Sequence, residues 1–303
     1  MKFLRWLAPL FVLGAAGLYS DPLRLRILVW SGRANGCTME RALEIPAHEA
    51  NLTAAKDRIL AATKKLQSDE HYDFWDTPRG KFWLPKGSQE SFMLPFNLAE
   101  QDQKIYGTGN RDIQPGDVVL DCGANIGVFT RSALDRGAKL VVAIEPAPEN
   151  IECLRRNFAK EIAEKRVIVY PKGVWDKDDM LTLRIDPHNS AADSFVIHRD
   201  SAADGEKVPL TTIDKLVSEL GLEKVSFIKM DIEGAELKAL AGGKATIKRF
   251  HPRMSLSAYH HPDHAAEVPK AVRATGADYK MECGPCAEVK QSFILRPDIL
   301  YFY

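Results

Sequence analysis

The chemistry of this 303-residue chain is concentrated in a few acids, glycines and one histidine placed just past short apolar runs. Asp121, Gly123 and Gly127 follow Val118-Val119-Leu120, which reads as a buried strand turning sharply into a helix. Glycine lets a backbone turn that tightly and leaves its amides open to a ligand at the positive end of the following helix. Glu145 ends the next apolar run, about 20 residues beyond the turn, where an acid of a nucleotide-type site accepts hydrogen bonds from a ribose diol. Gly173 follows a third run, Asp231 ends a fourth and His260 lies just past a fifth. A carboxylate or an imidazole at such a strand end can take a proton from a hydroxyl. Together these residues ask for a nucleoside beside a proton acceptor.

Alternating strand and helix signals must position them. Strands are expected at Val118–Asp121, Leu140–Ile144, Val167–Tyr170, Val225–Met230 and Met254–Tyr259, with helices at Ile126–Arg136, after Pro148 and at Ala235–Ala241. That alternation predicts an α/β chain with a doubly wound, mostly parallel sheet covered by helices on both faces, whose ligands sit beyond the carboxyl ends of the strands. Leu181–Ile185 and Val208–Leu210 read as edge pieces around a polar loop, and Tyr279–Glu282 with Phe293–Phe302 as a closing antiparallel pair. Upstream, Leu52, Ala55, Ile59, Ala62 and Leu66 recur at helical spacing, predicting an amphipathic helix over Ala47–Ser68. Tyr72–Leu84 predicts an aromatic hairpin turning at Thr77-Pro78-Arg79-Gly80, and a further helix is expected over Leu98–Tyr106.

Composition excludes some classes. Acidic and basic residues balance at 41 each, so there is no basic field for nucleic acid. Cys37, Cys122, Cys153, Cys283 and Cys286 are too few and scattered for a disulfide framework and read as mostly reduced and structural. Cys283-Gly-Pro-Cys286 copies a redox dithiol spacing without the strand and helix that motif needs, so a structural or incidental role is expected. His260-His261-Pro262-Asp263-His264 has the composition of a metal cluster, but its spacing fits no zinc signature; a surface turn is expected, and no metal. Glu233 and Glu236 open a helix, where acids serve as caps.

Gly123 and Gly127 enclose Ala124-Asn125-Ile126, so the middle glycine of the dinucleotide fingerprint is absent. Asp-x-Gly-x-x-x-Gly with an acid at the second strand end instead resembles class I S-adenosylmethionine (SAM) methyltransferases. The resemblance extends through Asp121-Cys-Gly-Ala-Asn-Ile-Gly127, Glu145-Pro-Ala-Pro-Glu-Asn150, Val208-Pro-Leu-Thr-Thr-Ile-Asp214 and Ile228-Lys-Met-Asp-Ile-Glu-Gly-Ala-Glu236, which is similar to the FkbM-like family. It covers roughly Leu98–Tyr259. It implies a Rossmann-like seven-stranded sheet and SAM-dependent transfer to a hydroxyl oxygen of a sugar, glycan, lipid or secondary metabolite. By position it implies Gly123, Asn125 and Gly127 along the methionine end of SAM, with Asp121 beside them, Glu145 at the ribose, Gly173 at the adenine edge and Glu100 at the amino group. Asp231 and His260 are the catalytic candidates. The alternatives are a nicotinamide-dependent oxidoreductase on the same fold and a non-catalytic, membrane-tethered SAM-binding protein.

Three regions are expected: a hydrophobic segment at 1–20, an extension at 21–97 and the methyltransferase domain at 98–303. Lys2 and Arg5 precede the apolar run Leu7–Tyr19, which suits either a short anchor or a signal segment. Because SAM is a cytosolic metabolite, a membrane-associated enzyme facing the cytoplasm is expected, with export after cleavage as the alternative. The sequence leaves the acceptor, the oligomeric state and the roles of Cys283 and Cys286 open.

Overall fold

The computed structural model describes residues 21–88, 92–186, 189–197 and 203–303; the expected anchor or signal at 1–20 lies outside them. In chain order the elements are α1 (Asp21–Trp30), α2 (Met39–Ala62), β1 (Lys64–Ser68), β2 (Tyr72–Thr77), β3 (Gly80–Pro85), α3 (Met93–Asp102), β4 (Val118–Cys122), α4 (Val128–Asp135), β5 (Leu140–Ile144), α5 (Pro148–Asn157), α6 (Ala159–Ala163) and β6 (Val167–Tyr170). There follow β7 (Gly173–Val174), β8 (Asp179–Ile185), β9 (Ala203–Thr211), α7 (Ile213–Glu219), β10 (Phe227–Met230), α8 (Glu236–Ala241), α9 (Lys244–Phe250), β11 (Arg253–Ser257), α10 (His264–Arg273), β12 (Met281–Cys283), β13 (Cys286–Val289), β14 (Ile294–Pro297) and β15 (Ile299–Phe302). Among the described residues, no helix is long and apolar enough to cross a membrane.

Seven strands form the central sheet in the order β12-β15-β11-β10-β4-β5-β6. The five from β11 to β6 run parallel and β15 runs antiparallel to both its neighbours, as the Rossmann-like expectation requires. The central parallel strands are mainly apolar because helices cover both faces: Val119, Leu120, Val141, Val142, Phe227 and Ile228 are all fully buried. The chain winds outward from β4 through β5 to β6, then returns to lay β10 and β11 on the other side of β4. The connections that follow β4 and β10 therefore leave in opposite directions at the switch point, where an open α/β sheet leaves a crevice.

The extension is built differently from its expected outline. Thr38 caps α2, its hydroxyl accepting from the Arg41 amide, and the helix runs through Pro46 and ends at Ala62. Leu66, counted as helical by its spacing, lies in the exposed strand β1, which pairs with the hairpin. The hairpin aromatics pack onto the domain: Phe74 stacks on Trp83 at 4.8 Å, and Phe82 and Leu84 join Ala55, Leu94 and Val128 in one apolar cluster. The extension thus shares a core with the sheet domain, and the expected boundary at 97/98 falls inside α3.

A disulfide ties the two ends of the described chain together. Cys37 and Cys286 are bonded across 249 residues, while Cys122, Cys153 and Cys283 are free, so the cysteines are mostly reduced as expected except for this one pair. The bond forms because α1 and α2 pack onto the β13–β14 ribbon around Leu25, Ile45 and Leu295. Cys283 does not pair with Cys286; its half-buried thiol donates to the Gly36 carbonyl at 3.2 Å.

Candidate functional site

The crevice at the switch point is a cavity of about 380 Å³, within the range of roughly 300–1,000 Å³ usual for small-molecule sites. The turn after β4 forms one wall. Gly123 holds φ +76°, and a Cβ there would lie 2.0 Å from the Asp231 carbonyl oxygen, so the two strand ends approach through a position only glycine fills. Asn125 follows in the left-handed region at φ +49°, and its buried side-chain oxygen has no hydrogen-bond partner.

Beyond the turn a smaller cavity, about 50 Å³, is bounded by Asn125, Glu145, Gly173 and Phe195. Glu145 is held by backbone: its carboxylate accepts from the Asn125 amide at 2.8 Å and the Ala147 amide at 3.0 Å. Burial pushes its pKa up to about 7 despite those two bonds. The Ser190 carbonyl closes the cavity from above, accepting from the side-chain amides of Asn125 and Asn150 at 3.0 and 3.1 Å. A Cβ on Gly173 would press on Leu210 at 2.5 Å and Phe195 at 2.9 Å.

The floor of the large cavity is a charged network around Asp231. Its Oδ2 accepts from the Tyr106 hydroxyl at 2.7 Å and its Oδ1 from the Tyr259 hydroxyl at 3.1 Å. Burial, then the neighbouring carboxylate of Asp231, lifts both phenols well above their ordinary value, so both remain donors. For Asp231 burial works toward the neutral acid, but Lys229 and His260 outweigh it and keep the carboxyl below its usual range. Glu100 lines the same cavity and is lifted well above the carboxylate range, first by burial and then by Asp231. Lys229 enters from below, donating to the Gly123 carbonyl at 2.8 Å.

Of the residues expected at the site, Glu100, Gly123, Asn125, Glu145, Gly173 and Asp231 line one cavity or the other. Asp121 and Gly127 do not. Asp121 is fully buried, accepting from the Thr130 hydroxyl at 2.7 Å and lying 3.4 Å from Lys229 Nζ, so it braces the turn without facing a ligand. Gly127 serves packing: a Cβ would sit 2.2 Å from the Phe158 ring. His260 is corrected as a general base. Burial disfavours its charge, but hydrogen bonds to Glu233 and Glu236 prevail and push its pKa up to about 10, so at neutral pH it is already protonated.

The expected surface turn is present at 261–263, but its flanking histidines do not belong to the surface. His261 and Asp263 are exposed, whereas His260 and His264 turn inward to Glu236. Lys229, Tyr106 and Tyr259 are site residues that pattern reading passes over. The available signals are the lysine's place two residues before Asp231 and the tyrosine two residues past the end of β11. Asp214 accepts from the Ala245 and Thr246 amides that open α9, while Thr212 caps α7.

The family model described as the methyltransferase FkbM domain matches residues 121–281, 161 of the 303 residues. Two curated relatives are similar over that region. The 31-O-demethyl-FK506 methyltransferase FkbM of Streptomyces tacrolimicus is 27% identical over 158 residues, covering 43% of this chain and 61% of the relative. The 2-O-methyltransferase NoeI of Sinorhizobium fredii (strain NBRC 101917 / NGR234) is 28% identical over 155 residues, covering 45% of this chain and 61% of the relative. A solved structure described as methyltransferase FkbM from Methylobacillus flagellatus KT is similar with a TM-score of 0.47 and 17% identity, over 87% of this chain and 62% of that one.

Proposed function

This chain belongs to the FkbM methyltransferase family, and we propose that it catalyses SAM-dependent methylation of a hydroxyl oxygen on a small molecule such as a sugar, glycan, lipid or secondary metabolite. The observation that carries the reading is the charge of the cavity. Asp186, Asp231 and Glu233 line it beside Glu100, which burial and Asp231 push toward the neutral acid, with Lys229 as the cationic counterpart among the lining residues. Such a wall favours a cofactor bearing a sulfonium and an ammonium, and it opposes a dinucleotide whose pyrophosphate would meet three carboxylates. The residues also fit the nucleoside. The Asn125 side-chain oxygen has no partner, Glu145 is fixed by two amides, and Gly123 leaves the backbone open.

SAM supplies an activated methyl group, so the chain's task is to align an oxygen with it and exclude water. Glu145 would accept from the ribose hydroxyls, Gly173 would lie at the adenine edge and Glu100 would face the amino group. Asp231, kept ionised by Lys229 and His260 and oriented by two phenols, would receive the acceptor's hydroxyl proton. The choice of oxygen is supported by the names of both relatives, each an O-methyltransferase or the methylase of an O-demethyl compound. The alignments span 61% of those relatives, so the acceptor is this chain's own question.

Calorimetry with SAM, S-adenosylhomocysteine and NAD tests the reading. SAM and S-adenosylhomocysteine should bind and NAD should not; tight NAD binding with no response to SAM would sink it. Incubating candidate extracts with isotope-labelled SAM and reading the products by mass spectrometry identifies the acceptor.

A further inference from the structure

The main cavity shares Phe96, Glu100 and Tyr259 with a second, of about 190 Å³, which α2 and α3 form with the entry to β15. That volume is below the roughly 300–1,000 Å³ of a complete small-molecule site, so it suits one ring of a larger molecule. Apart from Tyr259, its lining residues lie outside 121–281, the part of the chain that matches the family model. The chemistry of this cavity is therefore particular to this chain. Two polar side chains in its wall have nothing to bond to. Asp298 is half-buried and its backbone is fixed by hydrogen bonds with Pro285 and Ala258, each 2.8 Å, yet among the described residues its carboxylate makes no hydrogen bond or ion pair. Burial pushes its pKa up to about 6 while Arg296 pulls the other way. At neutral pH it is a carboxylate whose charge is partly balanced and whose oxygens are free. His48, reaching in from α2, is lowered by burial and stands there as a neutral imidazole with one donor and one acceptor nitrogen.

No lysine or arginine is among the described residues that line this cavity, so its wall repels an anion. Because Arg296 already answers the charge of Asp298, the unmet need is for neutral donors such as hydroxyls, not for a second cation. Phe96, 40% exposed, adds an aromatic face whose negative charge suits the C–H groups of a saturated ring. We propose that this second cavity is the acceptor subsite and takes an uncharged sugar ring, whose hydroxyls bond Asp298 and His48 and whose C–H face lies on Phe96. A ring seated there adjoins Tyr259, whose hydroxyl bonds Asp231, so a hydroxyl of that ring or of its neighbour reaches the proton acceptor. This role in catalysis rests on the methyltransferase reading, whereas binding of the sugar does not. The extension thereby completes the site, since α2 supplies one wall of it.

The test uses the full chain, with and without S-adenosylhomocysteine, in saturation-transfer NMR titrations. The probes are methyl pyranosides of the common neutral hexoses and deoxyhexoses, with glucuronate as an anion and methyl glucosaminide as a cation. At least one neutral pyranoside should bind more tightly than either charged sugar. Asp298→Ala should weaken that binding about tenfold, the loss of one hydrogen bond to a charged group, and leave the affinity for S-adenosylhomocysteine unchanged. His48→Ala, a change on a half-buried helix face, should weaken the sugar alone as well and keeps the test valid if Asp298→Ala fails to fold. No binding of a neutral pyranoside, tighter binding of a charged one, or binding unaltered in both variants overturns the proposal. Calorimetry with S-adenosylhomocysteine on the same sample separates the two readings: sugar binding without cofactor binding condemns the methyltransferase reading, and cofactor binding without sugar binding condemns the subsite.

Discussion

Lys229 and Asp121 are register partners on the adjacent strands β10 and β4, with 3.4 Å between Nζ and Oδ1 and both side chains out of water. The pair bolts the switch point together, because Lys229 also donates to the Gly123 carbonyl while Asp121 accepts from Thr130. Removing one partner of such a pair leaves the other uncompensated, at a cost of about 3–5 kcal/mol. Lys229→Met should lower unfolding free energy in urea by that amount, and Lys229→Met with Asp121→Asn should recover most of it. If the single variant loses under about 1 kcal/mol, the pair is not structural.

The two glycines of the turn should behave differently. A Cβ on Gly123 meets a backbone oxygen that cannot yield without moving the end of β10, whereas one on Gly127 meets a phenylalanine ring in the core. Gly123→Ala should therefore abolish binding of adenosine or SAM. Gly127→Ala should mainly lower stability, by about 1–3 kcal/mol for overpacking, with affinity reduced far less. Calorimetry beside thermal unfolding separates the two, and equal losses of affinity would refute the distinction.

This difference also shows what the sequence carries and what it does not. The sheet is legible because the parallel strands are short, mainly apolar segments buried on both faces, and the strand ends locate Glu145 and Asp231 directly. Which way a side chain points is not legible: Asp121 lies at the right strand end yet faces Thr130 and Lys229 inside the fold. Pro46 misplaces the start of α2, because a helix can absorb one missing amide when Thr38 caps it further upstream. The pairing of His260 with Glu233 and Glu236 joins two strand ends, so no spacing along the chain displays it.

Glu145 gives a pH dependence with a definite sign. Its folded pKa is about 7, above the ordinary value near 4.3. The folded chain thus keeps a proton that the unfolded chain releases. The stability from this group is fully present below about pH 4.3 and is lost as pH rises through about 7. Binding runs the other way, since the ribose diol donates to the ionised carboxylate. Adenosine affinity should climb between pH 6 and 8, by calorimetry, and Glu145→Ala should bind weakly with no such slope. A parallel slope in the variant would assign the titration to another group.

The Cys37–Cys286 disulfide closes a loop of 249 residues and joins α2, through its entry at Thr38, to the ribbon beside β15. Cross-links of this kind stabilise by about 2–5 kcal/mol, chiefly by restricting the unfolded chain. Dithiothreitol should therefore lower the thermal midpoint of the native chain. Cys37→Ser with Cys286→Ser should show the lowered midpoint with or without reductant. The pair also bears on where the protein works. A structural disulfide belongs to oxidising compartments, whereas the supply of SAM argues for the cytoplasm, so the two considerations oppose each other. Alkylation trapping of thiols in intact cells decides between them. Cys37 and Cys286 protected from the alkylating reagent would place the domain in an oxidising space, and full labelling of both would place it in the cytoplasm with the bond reduced.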